Sequence, residues 1–110
     1  MLYFREVLFM IAIFTVIPVS EGESISPYVT KVIEEVDKSG LDYKLTAMGT
    51  LIEGPWDKVM DTIKKCHNVM RRHSSRVLTS ITIDDRKGAK KRLDGKVQSV
   101  VSKSKRAISV

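Results

Sequence analysis

The residues with the most to say about chemistry are polar groups set into otherwise apolar β segments: Thr46, Glu53, Thr82 and Asp84. A carboxylate or hydroxyl in a sheet is costly to bury unless a partner hydrogen-bonds it. A bound ligand is one such partner; a strand end or a solvated edge is the other reading. Glu53 is the strongest candidate, and because Gly54, Pro55 and a helix start follow it, its charge could instead serve a helix dipole. His67 and His73 lie six residues apart on a helical segment, so they face different ways and cannot chelate one metal together. Cys66 is the lone cysteine, which excludes an internal disulfide. It has no neighbour that would obviously stabilise a thiolate.

Catalytic signatures are missing. There is no glycine-flanked serine, no phosphate loop, no dinucleotide fingerprint and no metal-binding His pair, so neither an enzyme nor a cofactor or metal site is expected. The chain carries a formal net charge of +6, unevenly placed: residues 1–70 are net −3 and residues 71–110 net +9. Six basic residues between Arg86 and Lys96 face a single acid there, Asp94. Without interleaved aromatic residues this run supports at most nonspecific attraction to phosphates, and a solvated basic loop is the simpler reading.

These side chains need elements to hold them. A length of 110 residues, with 43% hydrophobic and 29% charged, suits one globular domain and argues against disorder or a membrane bundle. Residues 1–9 read as an N-terminal extension, with Met10 an alternative start, and residues 10–110 as the domain. The first twenty residues have some features of an export signal, but Glu6 spoils the charged region, and Thr15 and Pro18 interrupt the apolar run. That run is also short of the ~20 apolar residues a spanning helix needs. No membrane partner is expected, and a cytoplasmic location is.

Met10–Val19, rich in β-branched and aromatic residues, predicts the first strand, followed by a loop at 20–24. Ser26 as cap, Pro27 in the first turn and Val29, Val32, Ile33 and Val36 at helical spacing predict a helix over 27–38 that stops at Gly40. Two strands meet at Gly49. Trp56, Val59, Met60, Ile63, His67 and Met70 then mark an amphipathic helix over 55–73, with Trp56 and His67 on its packed stripe. The segment from Val77 places Val77, Thr79, Ile81 and Ile83 on one strand face and Leu78, Ser80, Thr82 and Asp84 on the other. Asp94 is expected to cap a final helix with the stripe Val97, Val100, Val101, Ala107 and Ile108. The order predicts an α+β, ferredoxin-like βαββαβ sandwich with an additional C-terminal helix. Its two main helices cover one sheet face and leave the other as a natural subunit interface, partly covered by the last helix.

The run Met48-Gly49-Thr50 with Ile52-Glu53-Gly54, together with the segments around Thr82 and Val97, resembles the thiamine-binding protein family. The similarity extends from about Met10 to Ile108. It implies dimers that pair sheets, often assembled into tetramers, and a pocket for thiamine or its aminopyrimidine moiety. On that resemblance the ligand-binding residues are Thr46, Met48, Glu53, Thr82 and Asp84, with a carboxylate accepting from the exocyclic amine and hydroxyls completing the set. Relatives often have glycine and threonine after the proline of the first strand, where this chain has Val19, Ser20 and Glu21, so that edge of the pocket differs. The expected protein is a non-enzymatic homodimer or homotetramer holding a small molecule between subunits. The rivals are a regulatory protein-interaction module with no ligand and a nonspecific nucleic-acid binder working through the 86–96 loop.

Overall fold

The computed structural model describes residues 9–19, 26–88 and 91–110. Residues 1–8 of the expected N-terminal extension, the loop at 20–24 and Lys90 therefore lie outside the described residues, as does the capping side chain of Ser26; Phe9, placed in the extension from sequence, is instead the first residue of the first strand. The elements are β1 (Phe9–Pro18), α1 (Ser26–Lys38), β2 (Asp42–Thr46), β3 (Gly49–Pro55), α2 (Trp56–Arg71), β4 (Val77–Asp84) and α3 (Arg92–Lys103). The four strands form one antiparallel sheet in the order β2-β3-β1-β4, the ferredoxin-like arrangement.

Strand alternation explains the layering. Met10, Ala12, Phe14 and Val16 of β1 and Ile52 of β3 point to the helix side and are buried against Val32 and Val36 of α1 and Val59, Ile63, Cys66 and Met70 of α2. Each of these side chains other than the small Ala12 and Cys66 stabilises the fold by roughly 1.5–3 kcal/mol relative to exposure. The α1 helix stops where Gly40 takes a positive φ of 75°, a conformation that closes helices and that glycine adopts without steric cost.

Register sets out the opposite face in rows. Ile11 lies between Glu53 and Asp84, with Asp42 beyond Glu53; Ile13 lies between Leu51 and Thr82, with Lys44 beyond Leu51. Further along come Thr15 beside Ser80, Ile17 beside Leu78, and Thr46 beside Gly49.

Three local expectations need correction. The α3 helix begins at Arg92, so Asp94 lies in its first turn and does not cap it; the Asp94 carboxylate pairs with Lys44 Nζ at 2.5 Å instead. The helix ends at Lys103, because Ser104 turns extended and its hydroxyl accepts from the Arg106 amide, which leaves Ala107 and Ile108 outside the helical stripe. Trp56 is 48% exposed rather than packed: as the first residue of α2 it sits ahead of Val59, where the buried stripe starts.

Candidate functional site

At one end of the open face, Glu53 is only 4% exposed, and its carboxylate is fully engaged. Its two oxygens accept from the backbone amides of Arg92 (2.6 Å) and Leu93 (3.3 Å), the first residues of α3. A carboxylate there satisfies amides that the helix itself leaves unpaired and opposes the positive end of its dipole. The dipole reading of Glu53 thus holds, but for a helix 39 residues on and not for α2, which directly follows it. Lys91, just before α3, adopts a left-handed conformation (φ 52°). That strain of about 1–2 kcal/mol persists because the residues after it are pinned to the sheet.

Asp84 completes the anchor. Its Oδ2 accepts from Arg92 Nη1 at 2.9 Å and Lys96 Nζ at 2.8 Å, and its backbone carbonyl accepts from Arg92 Nη2. The Lys96 hydrogen bond, then that from Arg92, holds the Asp84 carboxyl below its ordinary value of 3.8. Arg92, counted from sequence among the solvated basic residues, is buried: a guanidinium that grips both a side-chain and a backbone oxygen must lie against the sheet.

The opposite end of the face has a different character. Residues Thr46 to Gly49 form a two-residue hairpin turn in which Thr46 Oγ1 donates to the Gly49 carbonyl (2.7 Å) and accepts from the Met48 amide (3.2 Å). Gly49 is required by space as well as by its φ of 154°: a Cβ there would lie 3.0 Å from Ile13 Cγ1 and 3.1 Å from the Phe14 carbonyl. The turn throws the Met48 side chain out, 82% exposed, over two adjoining depressions. One, of about 340 Å³, lies between Phe14, Val16, Val29, Leu45, Thr46 and Met48. The other, of about 170 Å³, lies on the open face between Ile13, Thr15, Met48, Ser80 and Thr82.

Strand β1 also overshoots its neighbour. Its pairing with β3 ends at Phe14 opposite Thr50, while its pairing with β4 runs on to Pro18 opposite Val77. Among the described residues, the β3-side edge of Thr15–Pro18 therefore has no strand beside it, and it borders the larger depression.

The five candidate residues thus separate. Thr46, Met48 and Thr82 surround the hairpin end, whereas Glu53 and Asp84 stand at the other end holding α3. Sequence reasoning missed Thr15, Ser80 and the free strand edge, although Thr15 was legible as the one polar residue within the apolar first strand. The remaining reactive types are structural. Cys66 is fully buried, and burial, followed by the charge of Glu35, pushes its thiol up to about 12, so it is no nucleophile near neutrality. His67 sits half-buried with Nδ1 2.6 Å from Thr79 Oγ1, joining α2 to β4. Among the described residues, no group of three or more His, Cys, Asp and Glu could hold a metal, and no helix is long and apolar enough to cross a membrane.

The family model described as thiamine-binding protein matches residues 12–101, a span that takes in both ends of this face. The chain belongs to the thiamine-binding protein family. Its relatives include a UPF0045 protein of Methanocaldococcus jannaschii, 33% identical over 100 residues that cover 91% of this chain and 97% of the relative. A second, from Methanothermobacter thermautotrophicus, is 39% identical over 92 residues, covering 81% and 93%. The crystal structure of a hypothetical protein from M. jannaschii matches with a TM-score of 0.78 at 33% identity, over 84% of this chain and 95% of that one. A candidate thiamine biosynthesis/salvage protein of Thermotoga maritima matches with a TM-score of 0.74 at 21% identity, over 84% and 98%, a likeness of fold alone. The thiamine-binding family carries a binding name and no enzymatic one.

Proposed function

We propose that this member of the thiamine-binding family is a non-enzymatic, cytoplasmic binding protein that holds thiamine or its aminopyrimidine moiety at the hairpin end of the sheet, between copies of itself. The observation that carries this reading is the conjunction, in one place, of the apolar hollow and the edge of Thr15–Pro18, which has no partner strand among the described residues. An aminopyrimidine ring is flat and largely apolar on its faces, and along one side it presents an amine donor next to a ring-nitrogen acceptor. A free strand edge offers alternating carbonyls and amides, the complementary pattern. The hollow's 340 Å³ lies within the ~300–1,000 Å³ usual for small-molecule sites.

In this reading Met48 lies against the ring, and the Thr46 and Thr82 hydroxyls supply further hydrogen bonds. The Thr46 oxygen, already donating once and accepting once, keeps a second lone pair. Glu53 and Asp84 act at a distance, fixing α3 and so the far wall of the face. Because Ile13, Ile17, Leu51 and Leu78 share that face, a second copy stacked on it would bury them and roof the shallow side of the site. The reading therefore includes a homodimer, or a homotetramer made of two, and the apolar residues on that face support it.

Calorimetry with thiamine against N-methylpyridinium, an unrelated cationic heteroaromatic, tests the ligand. Saturable heat from thiamine alone is expected; equal and weak heat from both would reject specific recognition. Native mass spectrometry of the freshly purified protein tests the assembly, and a monomer carrying nothing would remove the interface from the proposal.

A further inference from the structure

Beyond β4 the chain passes through Arg86 and Lys87 and turns at Gly88, and α3 then returns alongside. Arg86, Lys87 and Gly88 face Arg92, Gly95, Lys96 and Ser99 across a cleft of about 610 Å³. The last four residues recur at helical spacing and so form one side of α3. The cleft is cationic and undercompensated. Arg86, Lys87, Arg92 and Lys96 bring four positive charges, and a single Asp84 oxygen is shared between two of them. Arg86 and Lys87 make no ion pair among the described residues, and Asp85, which precedes them, does not line the cleft.

Two features set this cleft apart from a chance gathering of surface charge. Arg92 is only 9% exposed, held in place by Asp84, and its Nε donor is buried with no acceptor among the described residues. Such orphaned donors are rare in folded proteins and call for an explanation. Gly95 is the second feature: glycine inside a helix is destabilising relative to alanine, yet a Cβ here would meet nothing within 4 Å. No packing constraint demands a glycine at that position, and its effect is to leave the cleft wall open.

We propose that this cleft binds the phosphate group of a small phosphorylated ligand, with Arg86, Lys87 and Lys96 contacting the oxyanion and the fixed Arg92 guanidinium forming its floor. A tetrahedral dianion offers several acceptor oxygens, which suits two guanidinium groups and two ammonium groups converging from a loop and a helix. The Ser99 hydroxyl lies within the same wall to donate once more. An extended nucleic-acid strand fits less well, since no aromatic residue lines the cleft for bases to stack on. This site is independent of the pyrimidine reading, because thiamine itself carries no phosphate.

The test is a calorimetric titration of the full chain with inorganic phosphate and with pyrophosphate, at fixed ionic strength in chloride. One saturable site per chain is expected. Arg86→Ala with Lys87→Ala should weaken it about tenfold or more. Gly95→Leu should do the same with no change of charge, and circular dichroism should show the helix intact, since leucine favours helix over glycine. Lys64→Ala with Lys65→Ala, which removes two charges from the exposed side of α2, should leave binding unchanged. Unsaturable heat, equal weakening by both double variants, or wild-type binding by Gly95→Leu would each overturn the proposal. A single-stranded oligonucleotide that binds more tightly than pyrophosphate and ignores Gly95→Leu would assign the charge to polymer binding and overturn it as well.

Discussion

The two ends of the open sheet face start from similar material, polar residues alternating with Ile and Leu, and finish in opposite states. At the α3 end, in the row Asp42, Glu53, Ile11, Asp84, the Glu53 carboxylate is buried against two backbone amides and that of Asp84 is bridged by Arg92 and Lys96, so the polarity of these two is answered within the chain. At the hairpin end, Thr15, Ser80 and Thr82 stand beside an exposed Met48 and a strand edge with no neighbour among the described residues. A polar side chain in a strand is therefore not by itself the mark of a ligand. What distinguishes the ends is whether another part of the same chain returns to satisfy it.

The sharpest way to break this contrast is to remove the anchor. Glu53→Ala leaves two helix-start amides without their acceptor and should cost about 3 kcal/mol in denaturant unfolding, with amide exchange accelerating through α3 first. Lost thiamine heat with unchanged α3 exchange would instead place Glu53 in the ligand site and dissolve the distinction. Gly49→Ala probes the opposite end: the new methyl meets Ile13 and the Phe14 carbonyl at a positive φ, and a loss of about 2 kcal/mol is expected. A neutral result there would show that the hairpin end yields easily.

Smaller in effect is the titration of Asp84. Its carboxyl is held below the ordinary 3.8, so the folded state keeps the charged form better than the unfolded chain does. The contribution is fully present above that ordinary value and is lost as pH falls through the lowered folded one. Exchange of α3 amides should accelerate in that acid window, and Asp84→Asn should remove the step; the hairpin end should show no matching change. Met48→Ala is expected to have the least effect on stability, within about 0.5 kcal/mol, because the side chain is exposed. The same substitution should weaken thiamine binding about tenfold if the ring lies against it.

Much of the architecture was legible in the chain itself. Period-two alternation in β4 named both of its faces correctly, and helical spacing located α1 and the packed stripe of α2 from Val59 onward. The Met48-Gly49-Thr50 and Ile52-Glu53-Gly54 motifs pointed to the family. The misplaced residues share a cause. Trp56 and the Ala107–Ile108 pair fit a helical period, but a period says nothing of where a helix first meets its neighbour or where it stops. Arg92 looked like one more surface cation because charge runs are usually solvated.

Local sequence alone determined the order of elements, their apolar faces and the lack of a catalytic signature, since each depends on residues a few positions apart. Only the tertiary structure decided what answers Glu53, why Arg92 is buried, and which polar strand residues keep their hydrogen-bonding capacity. The physical reason is that a buried carboxylate must be satisfied in space. The amides that satisfy this one lie 39 and 40 residues along the chain, beyond the reach of any sequence period.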